Sequence, residues 1–283
     1  MNALALLNVE KFLIFTLVLT RTSGVLIASP IFGATQAPAM VRALISLALA
    51  VLIMPSQWSA TLPYPGSLLV YVVVIGGELM IGLVLGMGIT ILLGGIQMAG
   101  DLMSRVGGLT LSDVFDPGTS TNVPLFSQVL GLLSTALFLI IGGHRIVLGG
   151  LLDTFHVIPP GGCVAMLLGT GDGGGHHVAM VGPGLLASLV EMFVVLLAQS
   201  FHVAIRAAAP VVTAVLLATL VLGLISRTLP QLNVMVIGFG LNAMITFGVL
   251  FLSLGASLLV FQDQVAPTLQ VLFQTLRIPL HSP

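Results

Sequence analysis

The chain has 283 residues, of which 57% are hydrophobic and only 6% charged, with a mean hydropathy of +1.19 and a formal net charge of −1. Soluble domains carry about 25% charged residues, so a water-soluble globule is excluded, and so is a basic face for nucleic acid. Cys163 is the single cysteine, which excludes an internal disulfide and a cysteine-only metal site. Glu10 and Lys11 precede the first apolar run, with no basic leader and no small-x-small cleavage pattern, so Phe12 onward is expected to be a retained membrane segment.

Apolar runs follow at 12–32, 41–54, 67–99, 125–141, 181–203, 211–225 and 234–261. Crossing the hydrocarbon of a bilayer takes about 20 helical residues. The runs 41–54 and 211–225 are short for that, while 67–99 and 234–261 are long and punctuated by glycine. The glycine-dense run 67–99 reads as a bent helix or a helical hairpin rather than one straight rod. Within it, Gly82-x-x-x-Gly86 lets another backbone approach closely, although membrane helices are glycine-rich in general. The predicted fold class is therefore all-α and membrane-associated, in a single domain over 1–283.

Charges inside these runs are few. Arg21, Glu78, Glu191 and Arg206 sit within or beside apolar stretches, and each should face protein or water rather than lipid. They fit either buried ion pairs and snorkelling ends or a polar conduit, and the sequence leaves both open. The basic residues are spread too evenly to assign an orientation.

Three segments interrupt the apolar pattern. Residues 107–124 are rich in Gly, Ser, Thr, Asp and Asn and turn at Asp116-Pro117-Gly118. Residues 161–184 form a glycine-rich loop, and residues 262–283 form a tail with helical spacing of Val265, Leu269, Leu272, Phe273 and Leu276. Gly169-Thr170-Gly171-Asp172 matches the Gly-x-Gly-Asp string of intramembrane aspartyl hydrolases, but no Tyr-Asp partner precedes it. His176-His177 beside Asp172, on glycine backbone, is a poor tetrahedral metal site. No phosphate-cradling loop precedes a Lys-Ser/Thr pair. No catalytic, cofactor-binding or metal site is assigned. A small-solute secondary transporter is the alternative reading, but it should show paired inverted halves, and none is found. An intramembrane aspartyl-type hydrolase ranks third.

The string Ser226-Arg227-Thr228-Leu229-Pro230-Gln231-Leu232-Asn233 lies between two oily segments. Proline breaks or kinks a helix here, and Arg227 and the amides can satisfy the backbone groups it frees. Arg227-x-x-Pro230-Gln231-Leu232-Asn233, with Gly238-Phe239 beyond it, resembles a signature of the FliR family, whose counterparts are the SctT-type proteins of type III secretion export gates. The resemblance extends along the chain in order. It takes in Arg21, Gly24, Pro30, Phe32-Gly33, Pro38, Arg42 and Pro55, then Glu78-x-x-x-Gly82-x-x-x-Gly86, Gln97, Ala99-Gly100 and Asp116-Pro117. Gly143-His144 and Asp153-Thr154-Phe155-His156-x-x-Pro159 follow. Departures occur at Asp101, Arg105, Val106 and Gly240, and in the long loop 161–184.

The resemblance implies a non-enzymatic, cofactor-free subunit built of bent helices and helical hairpins. It joins FliP-like and FliQ-like subunits, with FlhB-like and FlhA-like proteins, in an inner-membrane gate for unfolded export substrates. The flagellar branch is the closer one. A plug-like loop maps to 107–124, where Leu109, Leu111, Val114, Phe115, Asp116 and Pro117 would block the closed pore. Roles in assembly are expected for Arg21, Pro30, Glu78, Gly82, Gly86, His144, Asp153, His156, Arg227, Pro230, Gln231, Asn233 and Gly238.

Overall fold

A computed structural model of the chain describes residues 3–30, 38–58, 68–109, 124–162, 183–228 and 234–275. Seven α-helices and one 3-10 turn account for nearly all of these, and no strand occurs among them. The helices are α1 (Ala3–Ala28), α2 (Ala39–Ile53), α3 (Leu68–Val106), α4 (Leu125–Ile140), α5 (Gly143–Val157), α6 (Pro183–Thr228) and α7 (Val234–Thr275). The 3-10 turn Met54–Gln57 continues α2. Helix is the expected solution for chains this apolar, because each backbone N–H and C=O finds its partner inside its own segment.

The ends of the helices follow local chemistry. Pro38 precedes α2 and Pro124 precedes α4, positions where a missing N–H costs nothing. α3 stops at a left-handed glycine, Gly108, with φ 76°. The Gly108 N–H donates to the Arg105 carbonyl at 3.1 Å and the Leu109 N–H to the Ser104 carbonyl at 3.0 Å. This is the paired arrangement of a Schellman cap, which satisfies carbonyls the helix end would strand. Gly142, also left-handed at φ 82°, separates α4 from α5, and its N–H donates to the Leu139 carbonyl at 3.1 Å.

Among the described residues, five helices are long and apolar enough to cross a membrane, or six if α4 and α5 are one broken span. α3, α6 and α7 have 39, 46 and 42 residues. At about 1.5 Å per residue each is roughly twice as long as a 30 Å hydrocarbon layer is thick. The run 67–99 thus forms one helix, and the hairpin alternative does not occur there. The runs 181–203 and 211–225 also merge, since α6 passes through Pro210 without ending. α7 likewise continues through Pro267, so residues 262–275 extend the last helix.

The chain divides into two compact units. The first contains Met1–Thr90, His144–Leu196 and Leu269–Pro283, and the second contains Ile91–Gly143 and Leu197–Thr268. In the first, Ile14, Leu17, Leu85, Ile89 and Leu151 are fully buried, and the C-terminal turn of α7 adds Leu272 and Phe273. In the second, Leu93, Ile96, Met103, Leu130, Phe138 and Phe261 form the interior. Glycine again permits close backbone approach there: a Cβ on Gly95 would lie 2.9 Å from the Ser200 carbonyl oxygen, and one on Gly100 would lie 2.6 Å from Ser127 Cα. Phe126 meets Phe247 edge to face at a centroid distance of 4.9 Å.

Candidate functional site

The first unit contains a buried polar centre, and the packing of α1 against α3 creates it. A Cβ on Gly24 would lie 2.9 Å from the Leu79 carbonyl oxygen and 3.1 Å from Gly82 Cα. One on Gly86 would lie 2.7 Å from the Val25 carbonyl oxygen. The two backbones therefore touch where the sequence supplies Gly24, Gly82 and Gly86, as small residues permit in apolar surroundings. One turn along each helix, this contact brings Arg21 against Glu78. The Thr90 hydroxyl donates to the Ala28 carbonyl and fastens the opposite end of the same contact.

Arg21 and Glu78 are both completely enclosed, with 0% side-chain exposure. Arg21 Nε donates to Glu78 Oε2 at 2.6 Å. Nη1 donates to Thr154 Oγ1 at 3.2 Å, and Nη1 and Nη2 both donate to the Ile158 carbonyl at 3.0 Å. The guanidinium carbon lies 4.2 Å from the centre of the Phe155 ring, a cation–π contact in a desolvated place. The second carboxylate oxygen, Oε1, accepts the Gly161 N–H at 2.9 Å. Gly161 has φ 86°, a left-handed conformation that suits glycine and turns its N–H toward Glu78. Ile158 packs on Ile81. The centre thus ties α1, α3 and the end of α5 together through one cation, one anion and two backbone groups.

Chemically this is a lock. All three guanidinium nitrogens and both carboxylate oxygens are engaged, so the pair neutralises itself without water. Of the two openings left by the sequence for Arg21 and Glu78, the buried ion pair is the one the fold adopts. Glu191 and Arg206 are exposed on α6 instead.

The remaining predicted residues are distributed around this centre. Pro30 follows the end of α1. His144 opens α5 and borders a small apolar cavity with Thr22, Leu26, Leu49 and Leu151, and its Nδ1 has no hydrogen-bond partner among the described residues. Asp153 is half-buried and His156 is exposed, whereas their neighbours Thr154 and Phe155 reach Arg21. Sequence reasoning weighted the ionisable members of that motif. The Ile158 carbonyl and the Gly161 N–H, being backbone groups, left only Pro159 and Gly161 as hints. Arg227 is exposed in the last turn of α6, and Gly238 is buried in α7. Pro230, Gln231 and Asn233 lie outside the described residues.

Of the plug residues, Leu109 forms the Schellman turn after α3, while Leu111, Val114, Phe115, Asp116 and Pro117 lie outside the described residues. At the base of this segment the two unusual residues compensate each other, with Arg105 Nε 2.8 Å from Asp101 Oδ2 on the exposed side of α3. The glycine-rich stretch with Asp172, His176 and His177 also lies outside. Among the described residues, no group of three His, Cys, Asp or Glu side chains could hold a metal ion.

A family profile described as "Bacterial export proteins, family 1" matches residues 12–268. The chain belongs to this family. The match includes every helix that builds the Arg21–Glu78 centre. The chain is 27% identical over 271 residues to the flagellar biosynthetic protein FliR of Bacillus subtilis strain 168, covering 93% of this chain and 95% of the relative. It is 27% identical over 255 residues to FliR of Escherichia coli K12, covering 90% and 86%. It is also 23% identical over 177 residues to the secretion system apparatus protein SsaT of Salmonella typhimurium LT2, covering 62% and 61%. This export-family protein is therefore an all-α membrane protein, in agreement with its apolar helices.

Proposed function

We propose that this chain is a structural subunit of a type III protein export apparatus in a bacterial inner membrane. The observation behind this reading is the family match over residues 12–268, joined to near end-to-end similarity with proteins named FliR. The flagellar branch is favoured, because FliR of Bacillus subtilis and FliR of Escherichia coli align at 27% identity over 93% and 90% of the chain, against 23% over 62% for SsaT. None of these relatives is named as a solute transporter or a hydrolase.

In this reading the chain assembles with FliP-like and FliQ-like subunits, and with FlhB-like and FlhA-like proteins, around a conduit for unfolded polypeptides. It performs no bond chemistry, and its residues hold shape. Residues 107–124 plug the closed pore from a rigid base, since the first of them, through Gly108 and Leu109, cap α3. Arg227, Pro230, Gln231 and Asn233 serve assembly by offering donors and acceptors where a helix is broken. Outward-facing residues such as Leu68, Leu69, Met244, Phe251 and Leu252 supply apolar surface for neighbouring subunits and lipid.

The test is purification of the tagged chain from its native membrane. The FliP-like and FliQ-like subunits are expected to accompany it in one detergent-stable particle. A stable monomer free of both would contradict the reading.

A further inference from the structure

An open groove of about 510 Å³ lies beside the end of α2 in the first unit, lined by Phe15, Val51, Met54, Pro55 and Trp58. Its walls are almost wholly apolar. At its mouth the Lys11 ammonium donates to the Trp58 carbonyl at 2.6 Å and stands 5.8 Å from the centre of the indole ring. Trp58 is the chain's one tryptophan and is 62% exposed.

Two independent features say where this mouth lies. α1 and α2 run antiparallel, since Lys11 near the start of one meets Trp58 just after the other, and Thr22 reaches Ser46 between them. The membrane-length stretches are Val9–Ala28 and Ala39–Gln57, so one begins and the other ends at this contact. By length and apolar composition, that is the position a water–hydrocarbon boundary would take. Tryptophan and lysine are the side chains that occupy such a boundary, with their apolar bodies inward and polar tips outward. The groove then extends from that boundary toward the hydrocarbon, between Phe15 of α1 and Val51 of α2.

The geometry points to a binding site for one anionic phospholipid, an acyl chain lying along Phe15, Val51, Met54 and Pro55 and its phosphate near Lys11 and the indole N–H of Trp58. The chain's net charge is −1, so a preference for anionic lipid would come from this site rather than from general attraction.

The test uses the full chain with its accompanying subunits in nanodiscs doped with phosphatidylglycerol or phosphatidylcholine bearing a photoactivatable acyl chain. After illumination, labelled peptides are mapped. Labelling is expected in the peptides containing Phe15 and Val51–Trp58, with phosphatidylglycerol favoured about fivefold at equal mole fraction, the factor one lysine gives at an anionic surface. Lys11→Gln should remove the preference, and Val51→Trp should fill the groove and remove the labelling. Equal labelling by both lipids, a preference that survives Lys11→Gln, or an unlabelled groove because a neighbouring subunit covers it, would each overturn the proposal. None of these outcomes depends on export.

Discussion

Arg21 and Glu78 are two charges enclosed among Phe155, Ile81 and Ile158, and their value is asymmetric. Keeping both offers little over a well-packed apolar pair, because each has lost its hydration. Removing one leaves the other buried and uncompensated, at a cost of about 3–5 kcal/mol. The account therefore predicts strong coupling. Arg21→Met and Glu78→Leu should each lower the thermal midpoint of the purified assembly and its abundance in the membrane. The double variant should recover most of both losses. Additive losses in that cycle would show that the two side chains do not act as a unit. The geometry also explains why the partners include backbone groups. The Ile158 carbonyl and the Gly161 N–H are main-chain groups, so they tie the turn after α5 to the pair through the backbone, with glycine at 161 supplying the left-handed conformation this needs.

At the scale of elements, the plug segment and its base separate cleanly. α3 ends in its own cap at Gly108, so the helix does not need residues 110–123 to satisfy its last carbonyls. Deleting residues 110–121 and bridging with glycine and serine should leave the assembly intact, since loops tolerate removal better than packed helices. The proposed plug would be lost, and the resting membrane should leak small ions. An assembled deletion variant with unchanged ion permeability would refute the plug. The elements also show what the sequence could reveal. Gly82-x-x-x-Gly86 announced a close approach, and Arg21 and Glu78 announced a buried charge, because apolar surroundings make both conspicuous. α5 was not legible as an apolar run, since His144, Arg145, Asp153 and His156 dilute it. Its apolar face, with Val147, Leu151 and Phe155, emerges only once packed. The runs 181–203 and 211–225 read as separate, yet Pro210 between them withholds only one N–H, and the surrounding apolar residues keep α6 continuous. The pairing of Arg21 with Thr154 spans 133 residues, a separation that no local pattern encodes.

For the whole molecule, the two units combine enclosed cores with extensive outward apolar surface, and three helices exceed the thickness of a bilayer. Such a chain has its purpose in an assembly within and beside lipid, and its family membership names the kind of assembly. That is the central claim, and the most direct measurement is export itself. The gene should be deleted in the source bacterium and the substrates of its type III apparatus quantified in the medium, with general secretory export measured in the same cells. The account predicts that type III substrates vanish from the medium while general secretion is unchanged, and that the intact gene supplied in trans restores them. Type III substrates persisting at normal levels in the deletion strain would contradict it.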